Sequence, residues 1–182
     1  MKTKSFKSKP LVIWITGLPA SGKTTLGSLL EAEISEMEIP VTLLDGDIVR
    51  RDHHQGFGFS LRDRKEHIRL VAKKAATLLE SGRFVICCFV SPTEEIRQVA
   101  RRIIGKNRFI EVYLSTPLSV CEERDPKGMY RKARRGEISD FTGLDSPYEP
   151  PHNPDIILDA SESDPKTMSK KVLELAFNTE KK

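Results

Sequence analysis

Gly17-Leu18-Pro19-Ala20-Ser21-Gly22-Lys23-Thr24 is a complete G-x-x-x-x-G-K-T run, and the apolar stretch Leu11-Val12-Ile13-Trp14-Ile15-Thr16 leads into it. The stretch before the loop reads as a strand, and the residues from Lys23 onward read as a helix. Between a strand and a helix, successive backbone N–H groups of such a loop converge on phosphate oxygens, and Gly17 and Gly22 supply backbone geometry closed to other residues. The helix adds its positive N-terminal end, Lys23 reaches the β- and γ-phosphates, and the Thr24 hydroxyl ligates Mg²⁺. Leu18, Pro19, Ala20, Ser21 and Thr25 complete the candidate triphosphate-binding set. A bare turn joining a strand to a helix would not need every fixed position filled. The run implies binding of a nucleoside triphosphate.

Working outward, four more apolar runs read as strands: 41–44, 84–90, 109–114 and 156–158. They are near-continuous rather than alternating, as strands covered on both faces should be. Helical stretches lie between them. Leu26, Leu29, Leu30 and Ile34 carry a stripe that ends before Pro40, and Ile68, Val71, Ala72, Ala75, Leu78 and Leu79 share one face up to Gly82. Pro92 opens a third helix through Ile96, Val99 and Ile103, a short one follows Pro117, and Pro165 starts the last. The alternation predicts an α/β, three-layer, doubly wound fold with a five-stranded parallel sheet. The long non-sheet excursion, 124–153, is where a helical and loop lid belongs.

The 182 residues suit one domain, 11–182, behind a basic tail at 1–10 that reads as frayed and disordered. An apolar fraction of 38% with 31% charged residues fits a soluble globular protein. The net charge of +4 suits polyphosphate anions and is too small and dispersed to point to nucleic acid. No run approaches the ~20 apolar residues of a membrane span, and there is no signal-peptide pattern, so a cytoplasmic protein without membrane partners is expected. Cys87 and Cys88 are adjacent in a strand and Cys121 is distant, which favours buried thiols. The four histidines lack zinc-ligand spacing. Oligomeric state is open, and a homodimer is compatible with the sequence.

The phosphate loop alone does not separate kinases from GTPases or motor ATPases. The chain has no Asn-Lys-x-Asp guanine-reading element, and its size and basic excursion after the fourth strand favour a small-molecule kinase. Asp45-Gly46-Asp47, Arg50, Gly58-Phe59-Ser60, Asp63-Arg64, Ser91-Pro92, the run 121–130 (CEERDPKGMY), Gly136-Glu137-Ile138, Phe141-Thr142-Gly143-Leu144-Asp145 and Pro147-Tyr148-Glu149 closely resemble the adenylylsulfate kinase (APS kinase) family of P-loop kinases. The resemblance covers about 12–160 in unbroken order. It implies transfer of the γ-phosphoryl of MgATP to the 3′-hydroxyl of adenosine 5′-phosphosulfate, giving 3′-phosphoadenosine 5′-phosphosulfate for sulfate activation.

The same residues can be read on their own chemistry. Asp45 and Asp47 end the second strand at the carboxyl edge of the sheet, where a carboxylate can take or orient the acceptor hydroxyl's proton and hold Mg²⁺ through water. Asp47 is the candidate base and metal ligand, Asp45 supports it, and both could equally be solvated turn residues. Arg50 can pair with an anionic group of the acceptor. Arg64 lies four residues before Ile68 on the helix's apolar stripe, so its head either snorkels to water or clamps phosphate or sulfate from the cleft. Ser91, at the end of the third strand, reads most plainly as a helix N-cap and is carried as a catalytic candidate of open role.

The resemblance further implies that Phe59 and Phe141 sandwich the acceptor's adenine, a contact worth ~1–3 kcal/mol per base in nucleic-acid complexes. It implies that Arg124 covers the ATP adenine and that Lys127 contacts acceptor or phosphate. The run Arg124, Lys127, Arg131, Lys132, Arg134, Arg135 then reads as lid cations that close over the triphosphate. Two positions depart from the pattern: His67 replaces an asparagine that contacts the acceptor, and Thr93-Glu94 replaces Tyr-Arg. A neutral histidine keeps one donor and one acceptor. A sibling kinase with another hydroxyl acceptor, and more remotely a non-catalytic ATP-binding module, are the competing readings.

Overall fold

The computed structural model describes residues 9–53, 57–58 and 60–178, with the side chains of 50–53 outside the description. Five strands, β1 (Val12–Gly17), β2 (Val41–Asp45), β3 (Phe84–Cys88), β4 (Phe109–Leu114) and β5 (Ile156–Leu158), form one sheet in the order β2-β3-β1-β4-β5. Every pairing is parallel, with Val12 opposite both Val85 and Phe109. The expected fold class holds. The described helices are α1 (Lys23–Glu36), α2 (Gly46–His53), α3 (Leu61–Glu80), α4 (Glu94–Ile104), α5 (Leu118–Arg124), α6 (Met129–Arg134) and α7 (Pro165–Asn178).

β1 is central and all six of its residues are buried, which is why its sequence is apolar without alternation. Successive side chains still point to opposite faces. Ile13 and Ile15 join Leu26, Leu30 and Ile34 of α1 and Met168 and Val172 of α7 in one layer. Val12 and Trp14 join Ile68, Val71, Ala72 and Ala75 of α3 and Ile96 and Ala100 of α4 in the other. Cys88 falls in the first layer and Cys87 in the second, and all three cysteines are free and buried.

Three local readings need correction. The ladder of β3 stops at Cys88: Phe89 still donates to the Ile15 carbonyl at 3.1 Å, but Ser91 adopts a left-handed φ of 37° and turns the chain off the sheet. The helix expected from Pro92 starts at Glu94, capped by Thr93, whose hydroxyl accepts from the Ile96 amide at 3.3 Å. α2 was not anticipated; it follows β2 directly and brings Asp47 into its first turn. Among the described residues, no helix is long and apolar enough to cross a membrane.

Candidate active site

The phosphate loop occupies the turn between β1 and α1. A Cβ on Gly17 would stand 2.7 Å from the Leu114 carbonyl oxygen and 2.8 Å from Ser21 Oγ, so only glycine fits. Gly22 has φ 103° immediately before α1. The Ser21 amide donates to the Leu18 carbonyl at 3.2 Å, and Thr116 Oγ1 holds the Ser21 carbonyl from below at 3.0 Å. Lys23 is buried, and its Nζ donates to the Gly17 and Leu18 carbonyls at 2.9 and 2.6 Å. Burial brings its pKa down from 10.5 to about 8, against smaller opposing pulls from Cys88, Cys121, Asp47 and Asp45.

The strand-to-helix corner after β2 faces Thr24. Asp45 is buried and accepts from Thr24 Oγ1 at 2.7 Å through one oxygen and from the Asp47 amide at 3.0 Å through the other. The two aspartates therefore do not both end the strand. Asp45 ends it and caps the start of α2, and the cap lifts Asp47 onto the helix's first turn. The Asp47 carboxylate is exposed and paired with Lys127 Nζ from the excursion after β4.

On the other side of the cleft, α3 presents Arg64 and His67, both buried. Arg64 Nη2 donates to the Asp140 carbonyl at 3.1 Å, so its head is held inside the fold rather than snorkelling. The His67 ring lies 6.0 Å from Phe57 and 5.7 Å from Phe89, centroid to centroid. Phe141 is buried edge-to-face on Tyr130 at 4.9 Å. Arg50 sits on α2 with its side chain outside the described residues, and Phe59 lies outside them altogether.

Ser91 is placed differently from its expected role. Its buried Oγ accepts from Trp14 Nε1 at 3.1 Å and bonds Thr16 Oγ1 at 3.0 Å, so it braces the end of β1 instead of capping α4. Arg97 Nη1 holds the Ser91 carbonyl at 3.0 Å. One cavity of about 950 Å³ is lined by Lys23, Thr24, Asp45, Asp47, Arg64, His67, Ser91, Arg124, Lys127 and Phe141 together. That volume is at the large end for a small-molecule site.

A family model, that of adenylylsulphate kinase, matches residues 9–159. The chain belongs to the adenylylsulphate kinase family. It is 49% identical to the adenylyl-sulfate kinase of Shewanella amazonensis over 153 residues, 84% of this chain and 77% of that one. It is 46% identical to the adenylyl-sulfate kinase of Pseudomonas aeruginosa over 167 residues, 92% of this chain and 85% of that one. Among solved structures, the APS kinase of Mycobacterium tuberculosis in complex with AMPPNP and APS superposes with a TM-score of 0.89 at 39% identity, covering 92% of this chain and 98% of that one.

Within this adenylylsulphate kinase fold, several cavity-lining residues carried no sequence signal. Ala160, Ser163, Pro165 and Met168 line it from the segment after β5 and from α7, and Arg124 Nη2 reaches the Ala160 carbonyl at 2.6 Å. Pro165 starts α7 as expected and Met168 belongs to the core, and both also face this cavity. Tyr130 also lines the cavity, donates its hydroxyl to the Pro19 carbonyl at 3.0 Å, and packs with Cys121 and Phe141 against Leu18 and Ala20 of the phosphate loop. The return of the excursion is anchored as well. Tyr148 Oη lies 3.0 Å from Thr16 Oγ1, and the Glu149 amide donates to the Pro92 carbonyl at 2.8 Å.

Proposed function

We propose that this chain moves the γ-phosphoryl group of MgATP onto the 3′-hydroxyl of adenosine 5′-phosphosulfate, giving 3′-phosphoadenosine 5′-phosphosulfate and ADP. The observation that carries the proposal is one cavity lined together by the phosphate loop and by Asp47, Arg64, His67 and Phe141. Family membership and the likeness to an APS kinase solved with AMPPNP and APS support the same donor and acceptor.

In this reading the backbone N–H groups of 20–25 and the Lys23 ammonium take the triphosphate, and Arg124 covers the ATP base. Arg64, with Arg50, holds the acceptor's phosphosulfate by forked hydrogen bonds, while Phe141 stacks its adenine. The Asp47 carboxylate takes the proton of the 3′-hydroxyl as that oxygen bonds to the γ-phosphorus. The bond from the γ-phosphorus to the β–γ bridging oxygen breaks, and its electron pair leaves with ADP. Lys127 must release Asp47 for this, and its charge then serves the transferring phosphoryl group. Thr24, Asp45 and Asp47 form the oxygen-only donor set that suits Mg²⁺, and the 2.7 Å approach of Thr24 to Asp45 fits it. When bound with ATP, that ion neutralises charge on the β- and γ-phosphates. Ser91 acts by bracing β1 under the loop, with no covalent intermediate. Residues 124–153 form the lid, tied to the phosphate loop through Tyr130 and to the end of β1 and the segment after β3 through Tyr148 and Glu149.

The test is positional. With γ-labelled ATP and adenosine 5′-phosphosulfate, label should enter a product from which a 3′-nucleotidase releases it. A labelled product resistant to that enzyme, or no transfer to this acceptor, would overturn the proposal.

A further inference from the structure

We infer that Asp145 is a positioning residue for the acceptor side of the cavity, acting through the backbone of Asp140 and Phe141; the inference rests on the acceptor assignment proposed above. Asp145 is exposed and does not line the cavity that holds Arg64 and Phe141. Its two carboxylate oxygens are both committed to the chain ahead of it: Oδ2 accepts from the Asp140 amide at 2.9 Å and Oδ1 from the Phe141 amide at 2.6 Å. Hydrogen bonds from amides to an ionised carboxylate are the stronger kind.

What those two bonds hold is unusual. Asp140 has a left-handed φ of 57°, a region open to few residues besides glycine, asparagine and aspartate. Its carbonyl, set by that backbone, receives Arg64 Nη2 at 3.1 Å. The next residue, Phe141, projects its ring into the cavity wall against Tyr130. One carboxylate thus fixes the two groups that the proposed function gives to the acceptor: the guanidinium for its anion and the ring for its base. The turn is closed behind them by bonds from the Leu144 and Ser146 amides to the Phe141 carbonyl at 3.1 and 3.3 Å. Preorganising a binding wall in this way raises affinity by removing an ordering cost at binding.

A residue that positions only the acceptor side should move one kinetic constant and not the others. Asp145→Ala should raise the acceptor KM by about five- to thirtyfold while kcat and the ATP KM stay within about twofold. Asp145→Asn, nearly isosteric, keeps one oxygen acceptor and should fall between wild type and alanine. In the asparagine variant, amide hydrogen exchange at 140 and 141 should speed up while exchange in β1 and α1 is unchanged. Equal rises in both KM values, or an unchanged acceptor KM, would overturn the inference, as would unchanged exchange at 140 and 141. Wild-type protein that fails to turn over adenosine 5′-phosphosulfate would sink the function reading instead, and the exchange result would still decide whether Asp145 sets this turn.

Discussion

The proposed donor and acceptor halves of the cavity are built on opposite plans. The donor half is local: one loop of eight residues between adjacent elements supplies the anion cradle, mostly from backbone that the glycines shape. The acceptor half is assembled from side chains on α3, on the 140–145 turn and on the corner after β2, up to about a hundred residues apart. A phosphate cradle made of amides recognises any polyphosphate and tolerates side-chain change. A wall of placed side chains selects one acceptor and can be retuned one residue at a time. The two halves should therefore fail in different ways when altered.

The largest effect is expected at Lys23, the charged side chain that the phosphate loop itself would bring to the triphosphate. Lys23→Ala should remove more than about 10³-fold of turnover and leave the thermal transition within a few degrees. Folding already works against this charge, as its depressed pKa records, so its loss leaves no buried charge unpaired. Near-wild-type turnover in this variant would break the donor half of the comparison.

Next comes Asp47, where the two halves meet. Asp47→Asn should lower kcat by about 10²–10⁴-fold with a much smaller change in ATP affinity, checked by single-turnover transfer and by nucleotide titration. A loss below about tenfold would move the proton to another acceptor. Removing this carboxylate also frees Lys127, its partner.

The strands were legible in the sequence to within about two residues because β1 and its neighbours are buried on both faces, and an apolar run has no other use there. The phosphate loop was legible for a related reason: its shape depends on residues that cannot be exchanged. α2 was not legible. Ile48 and Val49 are its only apolar residues, and the helix forms because Asp45 caps it and Val49 reaches the core. Ser91 was misread because a serine before a proline looks like a cap, whereas its left-handed backbone aims the hydroxyl at Trp14 and Thr16. Asp145 was quoted only as part of the family-like run 141–145 and its role was not read, since a carboxylate that bonds amides four and five residues back resembles any polar loop residue. Arg64 stood out for the opposite reason, a charge on an apolar stripe.

A smaller effect sharpens the donor side by pH. A triphosphate against Lys23 Nζ raises a pKa that burial has lowered to about 8. Below that pH both states are protonated and affinity is full. As pH rises past it, binding must take up a proton, and ATP affinity should fall by up to about tenfold per pH unit until the bound-state pKa is reached. Calorimetry near pH 9 in buffers of different ionisation enthalpy should show net proton uptake, which Lys23→Ala abolishes. In the free protein the same depression costs stability below pH 8, and that cost is relieved as pH rises toward 10.5.

The smallest expected effect belongs to the acceptor wall. His67→Ala should raise the acceptor KM by about 2–13-fold, the worth of one neutral hydrogen bond, and leave the ATP KM nearly unchanged. A change in the ATP KM instead would place His67 on the wrong side of the comparison.

The most direct measurement is a side-by-side panel of acceptors at one ATP concentration: adenosine 5′-phosphosulfate, AMP, other nucleotides and small sugars, compared by kcat/KM. The account predicts adenosine 5′-phosphosulfate well ahead of every other acceptor, because Arg64 answers its anion, Phe141 its base and Asp47 its hydroxyl. Faster transfer to any other acceptor would contradict it, and His67 would be the first residue to restore to asparagine.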